Sequence, residues 1–307
     1  MLDVIIIGAG PAGLTAAIYT SRRSLSTLII SADIGGQVIK TYDIENYPGF
    51  DNISGLDLIS KFREQATKFG AKIENAEVKK IEPKNGTFIV STASASYDTK
   101  SIILAFGKKP RELAVPGEEK LKGHGISYCA TCDAPFYKGR DVAVIGGGSS
   151  ALDAALLLSK YASRVYIIHR TAEFRGEQHL IDRLKSNPNI EIIFNTEVLE
   201  IKGDNTVTSV ILKDGKEIPV GGVMVEVGYV VDRKLAEGLV NIDQTNQIIV
   251  DNRQQTSVPG IFAAGDLTQT PYKQVVISAG EGAKAALSAF DYIQKLEGKK
   301  GIIADWH

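Results

Sequence analysis

Cysteine is scarce in this chain, with two in 307 residues. Two thiols exclude a secreted scaffold stapled by several disulfides, and they cannot supply a four-cysteine zinc site. An excess of either charge is also missing: 35 Lys+Arg stand against 36 Asp+Glu, a net charge of −1. That excludes a basic coat over the whole chain, of the kind that holds nucleic acid or an acidic membrane. Long apolar runs are absent too. Residues 4–21 carry no charge, but Gly8, Gly10, Pro11 and Gly13 interrupt them in the middle, so they do not read as a membrane span. Asp3 stands where a secretory leader needs Lys or Arg. The expectation is a cytoplasmic protein with no membrane, nucleic-acid or metal partner.

What is there is glycine, at 30 residues, within a chain that is 44% hydrophobic and 23% charged. Those proportions are globular rather than disordered. At roughly 100–200 residues per domain, the length suggests two domains. Residues 2–7 are apolar and β-branched, as in a strand buried on both faces. A Gly-rich turn follows, then a helix over 14–22 and a strand over 27–30. Residues 55–69 repeat Ile59, Phe62, Ala66 and Phe69 at helical spacing, with Gly70 at the stop. Asn85-Gly86 and Lys213-Asp214-Gly215-Lys216 read as hairpin turns. Strands are expected over 102–105, 141–145, 165–168 and 261–264, and helices over 152–160 and 274–296.

The strand, Gly-rich turn, helix, strand unit occurs twice. The first turn is Gly8-x-Gly10-x-x-Gly13, whose glycines let backbone approach a pyrophosphate at a helix N-terminus. The acid expected at the end of the second strand is missing at Ser31, although Asp33 is close. The second turn is Gly146-x-Gly148-x-x-Ala151, and its second strand runs into His169-Arg170. An acid there would repel a 2′-phosphate, whereas Arg170 and Arg175 attract one, so they favour NADPH over NADH. Between the units stands Cys129-Ala130-Thr131-Cys132-Asp133. Thiols at this spacing can close a disulfide ring, and beside dinucleotide sites they read as redox-active. Half of a zinc site and two inert buried thiols are the alternatives. Asp133 is placed to protonate a leaving thiolate.

Together these residues resemble the low-molecular-weight thioredoxin reductases over nearly all of the chain. The resemblance rests on Gly8-Ala9-Gly10-Pro11-Ala12-Gly13, Gly35-Gly36-Gln37, Glu45-Asn46-Tyr47-Pro48-Gly49 and the CATCD run at Cys129. It continues through Gly146-Gly147-Gly148-Ser149-Ser150-Ala151, His169-Arg170 with Arg175, Gly265-Asp266 and Lys273-Gln274-Val275. It implies an α/β fold of two Rossmann-like, three-layer ββα domains, one inserted in the other. The FAD domain would be 1–112 with 243–307, and the NAD(P)H domain, carrying the CxxC, 113–242. Gly8, Gly10, Pro11, Ala12 and Gly13 would hold the FAD pyrophosphate. Gly36, Gln37 and Asn46 would line the flavin and ribityl chain. Asp266 would meet the ribityl or pyrophosphate region, and Gln274 and Val275 the isoalloxazine edge. Ser31, Gly35, Val78, Ala105, Gly107, Gly265 and Lys273 complete the expected FAD set. Gly146, Gly147, Gly148, Ser149, Ser150, His169, Arg170 and Arg175 would take NADPH.

The resemblance further implies a homodimer that passes electrons from NADPH through FAD and a Cys129–Cys132 disulfide to a thioredoxin-like or glutaredoxin-like protein. Cys132 would face the flavin, Cys129 would attack the partner, and Asp133 would be the acid and base. The inserted domain would rotate to present nicotinamide and cysteines in turn. Three departures stand out. Thr171 replaces the family's second arginine, Phe106 interrupts its Ala-Thr-Gly run, and Gly228-Tyr229-Val230-Val231-Asp232 replaces a loop with Pro-Asn. Thr171 and the missing Pro-Asn motivate a second expectation, the same fold fed by NADH, ferredoxin or reduced flavin. A partner-binding redox sensor with little turnover is a third.

Overall fold

The computed structural model describes residues 1–41 and 44–299, so the Trp306-His307 tail, which the sequence reads as an exposed terminus rather than a stacking contact, lies outside the described residues. The chain divides into two compact units, Met1–Lys109 with Val231–His307, and Pro110–Val230. The return to the first unit comes earlier than residue 243. Val231, Ala236 and Val240 are buried in a core with Ile5, Ile30 and Leu104, so residues 231–242 belong with the first unit.

In that unit, β1 (Leu2–Ala9) is central, with parallel β2 (Thr27–Ile34) on one edge and β6 (Ser96–Leu104) on the other. Both faces are covered, which is why Val4–Ile7 has no polar alternation. α1 (Pro11–Arg22) starts inside the Gly-rich turn rather than at Leu14. Pro11 at its first position is already set for helical φ. α2 (Gly55–Lys68) is capped by Ser54, whose Oγ accepts the Asp57 N–H at 3.1 Å. β3 (Lys72–Asn75) extends the parallel sheet beyond β2. β4 (Lys80–Lys84) and β5 (Thr87–Ser91) form the expected hairpin. Asn85 and Gly86 both take positive φ, 46° and 81°, as a type I′ turn requires. β6 is shared: its first half pairs antiparallel with β5, and its last residues pair parallel with β17 (Ile261–Ala263).

The chain crosses between units in β7 (Lys109–Pro110), which pairs with β16 (Tyr229–Val230) on the return. The second unit contains α3 (Glu118–Leu121), β8 (Ile126–Ser127) and α4 (Ala130–Asp133). β9 (Asp141–Gly146), α5 (Ser149–Leu158) and β10 (Arg164–Ile168) form its own βαβ unit. α6 (Gln178–Lys185) leads to β11 (Ile190–Ile193). An antiparallel meander follows: β12 (Val198–Gly203), β13 (Val207–Leu212) and β14 (Glu217–Pro219). β15 (Gly222–Glu226) then completes a parallel sheet of order β11-β10-β9-β15-β8. Back in the first unit, β17 (Ile261–Ala263) and the long α7 (Val275–Leu296) close the chain.

Each unit is therefore three-layered. In the first, α1, α2 and α7 cover one sheet face, and the β4–β5 hairpin with residues 231–267 covers the other. In the second, α4, α5 and α6 cover one face and the β12–β14 meander the other. This is the expected α/β class, two Rossmann-like ββα domains with one inserted in the other.

Candidate redox site

The first unit's parallel strands end at the Gly-rich turn. Gly8 has φ +110°, and a Cβ there would lie 2.3 Å from the Ala105 carbonyl oxygen. At Gly13 an added Cβ would lie 1.9 Å from the Gly8 oxygen. These two glycines fold the turn against strand and helix. Gly10 has a different role. It caps α1 in extended conformation without a side-chain hydrogen bond, and a Cβ there would meet nothing within 4 Å. The nearest atom to a Cβ on Gly36 would be Gly10 Cα, at 4.0 Å. Open space thus lies over the first N–H groups of a helix, a place that suits a pyrophosphate.

Other expected residues gather around this turn. Ser31 Oγ accepts the Ala9 N–H at 3.1 Å, and the Gly35 N–H donates to the Ala9 carbonyl at 2.9 Å. Asp33 accepts from the Gly36 N–H at 3.2 Å, so the nearby acid supports the loop. Gln37 Oε1 is buried with no hydrogen-bond partner among the described residues. A buried acceptor without a donor is costly, and a bound flavin with its ring N–H and ribityl hydroxyls fits that need. Asn46 Nδ2 donates to Gln274 Oε1 at 3.2 Å. Gly265 packs on Ala12, and Asp266 accepts from Ser278 Oγ at 3.3 Å. Lys273 donates to the Thr268 carbonyl at 2.7 Å, and burial lowers its pKa. Val275 opens α7, half-buried, and Gly107 has φ +64° with open space around it. Val78 is turned into the core beneath β1 and β2, so only its backbone is available to a cofactor.

Glu281 escaped the sequence reading. It is buried on α7 and accepts the Gly265 N–H at 2.7 Å, which ties the Gly265-Asp266 turn to that helix. Its only sequence signal is a charge on the apolar face of a helix.

In the second unit, Gly148 caps α5 without a side chain over it, and a Cβ there would also meet nothing within 4 Å. Gly146 lies against the Glu226 carbonyl. Ser149 Oγ accepts the Glu177 N–H at 3.2 Å, and Ser150 is exposed beside it. A Cβ on Gly147 would come within 2.3 Å of the His169 ring. His169 is 8% exposed, stacks on Phe174, and shares a 2.8 Å hydrogen bond with Thr171 Oγ1. The Arg175 N–H donates to the Gly147 carbonyl at 2.7 Å, while the Arg170 and Arg175 side chains are exposed. His169 thus packs beneath the turn, and Arg170 and Arg175 are exposed cations beside it, with no ion-pair partner among the described residues.

Burial holds His169 below the ordinary histidine pKa, and Arg175 and Arg170 lower it further. Below that ordinary value, near 6.5, the unfolded chain takes up a proton that the folded ring resists. Stability contributed by neutral His169 is full at neutral pH and is lost as pH falls toward the lowered folded value. A His169→Gln variant is expected to show a shallower fall of melting temperature from about pH 7 to pH 5. Equal slopes in variant and parent would remove His169 as the titrating group.

The cysteines lie in the same unit. Ser127 ends β8, and its Oγ accepts the Cys129 N–H at 3.0 Å. Cys129 is extended, caps α4, and its Sγ accepts the Cys132 N–H at 3.2 Å. Ala130 and Ala134 anchor this turn in the core under α5. A disulfide joins Cys129 and Cys132 across a Cα separation of 5.4 Å. Cys132 is exposed, and Cys129 and Asp133 are half-buried. The sulfurs are bonded to each other, as the redox reading of the CxxC requires and as neither half of a zinc site nor two free thiols describes. Among the described residues no group of three His, Cys, Asp or Glu is placed to hold a metal ion, and no helix is long and apolar enough to cross a membrane.

Comparison with known proteins agrees with this arrangement. Residues 2–282 match the model of the pyridine nucleotide-disulphide oxidoreductase family. A thioredoxin reductase of Listeria innocua is 43% identical, over 96% of this chain and 95% of that protein. The crystal structure of Lactococcus lactis thioredoxin reductase, in its FR conformation, matches with a TM-score of 0.89 at 37% identity, covering 96% of this chain and 100% of that one. A ferredoxin-flavin thioredoxin reductase of Clostridium acetobutylicum matches at a TM-score of 0.56 and 33% identity, covering 97% of this chain and 99% of that one.

Proposed function

From the premise that the chain belongs to the pyridine nucleotide-disulphide oxidoreductase family, as a flavoprotein disulfide reductase of the thioredoxin reductase group, we propose that it carries electrons from NADPH through FAD to a thioredoxin-like or glutaredoxin-like protein. The observation that carries this reading is a disulfide in the same unit as a second dinucleotide turn flanked by two exposed arginines. The protein would act as a homodimer in the cytoplasm, as proposed from its resemblance to this group.

Gly10 and the first turn of α1 would hold the FAD pyrophosphate, with Gly36, Gln37, Asn46, Asp266 and Gln274 around the ribityl chain and ring. A bound flavin supplies a two-electron carrier between a hydride donor and a disulfide. Two electrons and two protons break the Cys129–Cys132 bond and leave two thiols. Asp133 is the proposed acid and base for those protons. The Cys132 N–H at Cys129 Sγ favours a thiolate there. Cys129 then attacks the partner disulfide, and a mixed disulfide forms as the partner's other sulfur leaves and is protonated. Cys132 attacks Cys129 Sγ, the partner dithiol departs, and the ring closes again.

Anaerobic titration of the flavin absorbance with NADPH and NADH tests the donor. Arg170→Ala and Arg175→Ala are each expected to raise the half-saturating NADPH by about 10- to 100-fold, the worth of one hydrogen bond to a charged group. The NADH titration should not move. Bleaching by neither nucleotide, with dithionite still effective, would overturn the NADPH assignment. One observation favours the second reading, a different donor. Thr171 stands at the family's second arginine and is already bonded to His169 and to the Glu173 carbonyl.

A further inference from the structure

The second unit contains a buried carboxylate that the proposed mechanism does not use. Glu118, at the start of α3, is 2% exposed. Its Oε1 accepts the Leu113 N–H at 2.9 Å and its Oε2 the Ala114 N–H at 2.6 Å. Oε1 also accepts the Tyr128 hydroxyl at 2.7 Å. A buried carboxylate survives only where donors surround it, and here three do. All three come from two places that matter. Leu113 and Ala114 follow the crossing from the first unit, which ends at Lys109. Tyr128 immediately precedes Cys129.

Both ends of this connection are rigid. Ala114 has φ +59°, a left-handed conformation that a side chain resists. The Glu118 carboxylate holds it there by accepting its N–H. Gly117 lies against β12, where a Cβ would come within 1.8 Å of the Ile201 carbonyl oxygen, and the Ile201 N–H donates to Pro116 at 3.0 Å. The segment before Glu118 is therefore clamped to the meander. On the other side, Tyr128 packs on the same core as Leu113 and Val115. Burial, with the bond to Glu118, raises the Tyr128 pKa well above the tyrosine range, so its hydroxyl remains a donor at every working pH. Ser127 fixes the Cys129 N–H from below. Cys129 is thus held on its N-terminal side by two neighbours, one of which leads back to the crossing.

We propose that Glu118 and Tyr128 are positioning residues for the redox disulfide, a strut that fixes Cys129 relative to Cys132 and joins it to the segment where the chain enters this unit. This rests on the reading of Cys129–Cys132 as the centre that reduces the partner. The consequence is chemical. Closing a disulfide between two thiols is favoured by the effective concentration at which the backbone holds them. Releasing Cys129 lowers that concentration, so the ring becomes easier to reduce and slower to close again on the mixed disulfide.

Tyr128→Phe removes one hydroxyl and keeps the ring, and Glu118→Gln removes the charge and one acceptor. Holoenzyme of each is equilibrated with buffers of reduced and oxidised dithiothreitol, which exchange one disulfide for another without other reactants. Alkylation then counts the thiols. For Tyr128→Phe, the dithiothreitol ratio at half-reduction is expected to fall about three- to tenfold, the range of one hydrogen bond. Turnover number with thioredoxin should fall by a similar factor, while KM for thioredoxin holds. The double variant should shift no further than the larger single one, since the two residues act in series. A half-reduction ratio within about twofold of the parent in Tyr128→Phe would overturn the proposal, as would additive shifts in the double variant. Glu118→Gln risks misfolding, and Tyr128→Phe carries the test alone if it does. Cys129→Ser separates the two levels. If that variant still reduces thioredoxin, the assignment of the redox centre fails; if it does not, an unshifted Tyr128→Phe counts against the strut alone.

Discussion

Cys132→Ser is expected to abolish thioredoxin reduction, with a loss on the order of 10³-fold or more, while NADPH still bleaches the flavin. The size follows from the chemistry. A serine hydroxyl can neither carry the electrons of a broken disulfide nor resolve a mixed one. The loss is confined to the second half of the cycle because the proposed flavin cradle belongs to Met1–Lys109 with Val231–His307, and the cysteines to Pro110–Val230. Fold should be spared, since Cys132 is exposed and the α4 turn is anchored by Ala130 and Ala134. The variant also assigns the roles of the two sulfurs. With Cys132 gone, and a partner whose leaving cysteine is replaced and whose remaining thiol is offered as an activated aryl disulfide, Cys129 should hold the partner as a mixed disulfide that no thiol is left to resolve, visible as a covalent complex that reductant dissolves. The structure gives this test an edge, because Cys132 is the exposed member of the pair and Cys129 the half-buried one. Trapping by Cys129→Ser through Cys132 instead would reverse the proposed order of attack. Turnover that survives in both variants would remove the disulfide from the mechanism altogether.

Gly13→Val is expected to give protein without flavin colour and with a strongly lowered melting temperature. A Cβ at Gly13 already falls 1.9 Å from the Gly8 oxygen, so backbone must move. Overpacking of that kind typically costs about 1–3 kcal/mol and more when the neighbour is main chain. The displaced atoms form the turn and the start of α1, whose N–H groups are the proposed pyrophosphate site. α1 in turn packs tightly on α7, where a Cβ on Gly282 would come within 2.1 Å of the Ala12 carbonyl oxygen. Damage at Gly13 therefore reaches the helix layer of the whole unit. Gly10→Ala is the informative partner. Its Cβ meets nothing within 4 Å, so the fold should hold and the melting temperature of the flavin-free protein should barely change. The added methyl enters the space above the helix start, and flavin affinity should fall at least tenfold by fluorescence titration. If Gly10→Ala bound flavin as tightly as the parent, the open space at Gly10 would not be the cofactor cradle.

Much of the fold was legible from local pattern. The strand at β1, the helix over α2 with its Gly70 stop, and the Asn85-Gly86 hairpin all depend on neighbours within one or two turns of chain. The same holds for both Gly-rich turns and the CxxC, where steric demand and chemistry are written into consecutive residues. Boundaries were less legible. α1 was expected to begin at Leu14 and begins at Pro11, because Pro11, Ala12 and Gly13, the closing residues of the fingerprint, also form the first helical turn. Residues 231–242 were expected in the inserted unit, yet Val231, Ala236 and Val240 fill the first unit's core. Apolar spacing says that such residues are buried but not in which core.

By itself, then, the amino-acid sequence determined the α/β class, the two dinucleotide turns, the redox pair and the family they resemble. Each depends on residues close together in the chain. Tertiary structure alone decided what distant residues do to one another. It turned His169 under Gly147 and bonded it to Thr171, which leaves Arg170 and Arg175 as the cations beside that turn. It set Glu281 under Gly265. It brought Glu118 between Ala114 and Tyr128, next to Cys129. The physical reason is common to all three. A buried polar group must find its partners wherever packing puts them, and no periodicity along the chain encodes where the sheet and its covering layers will bring those partners together.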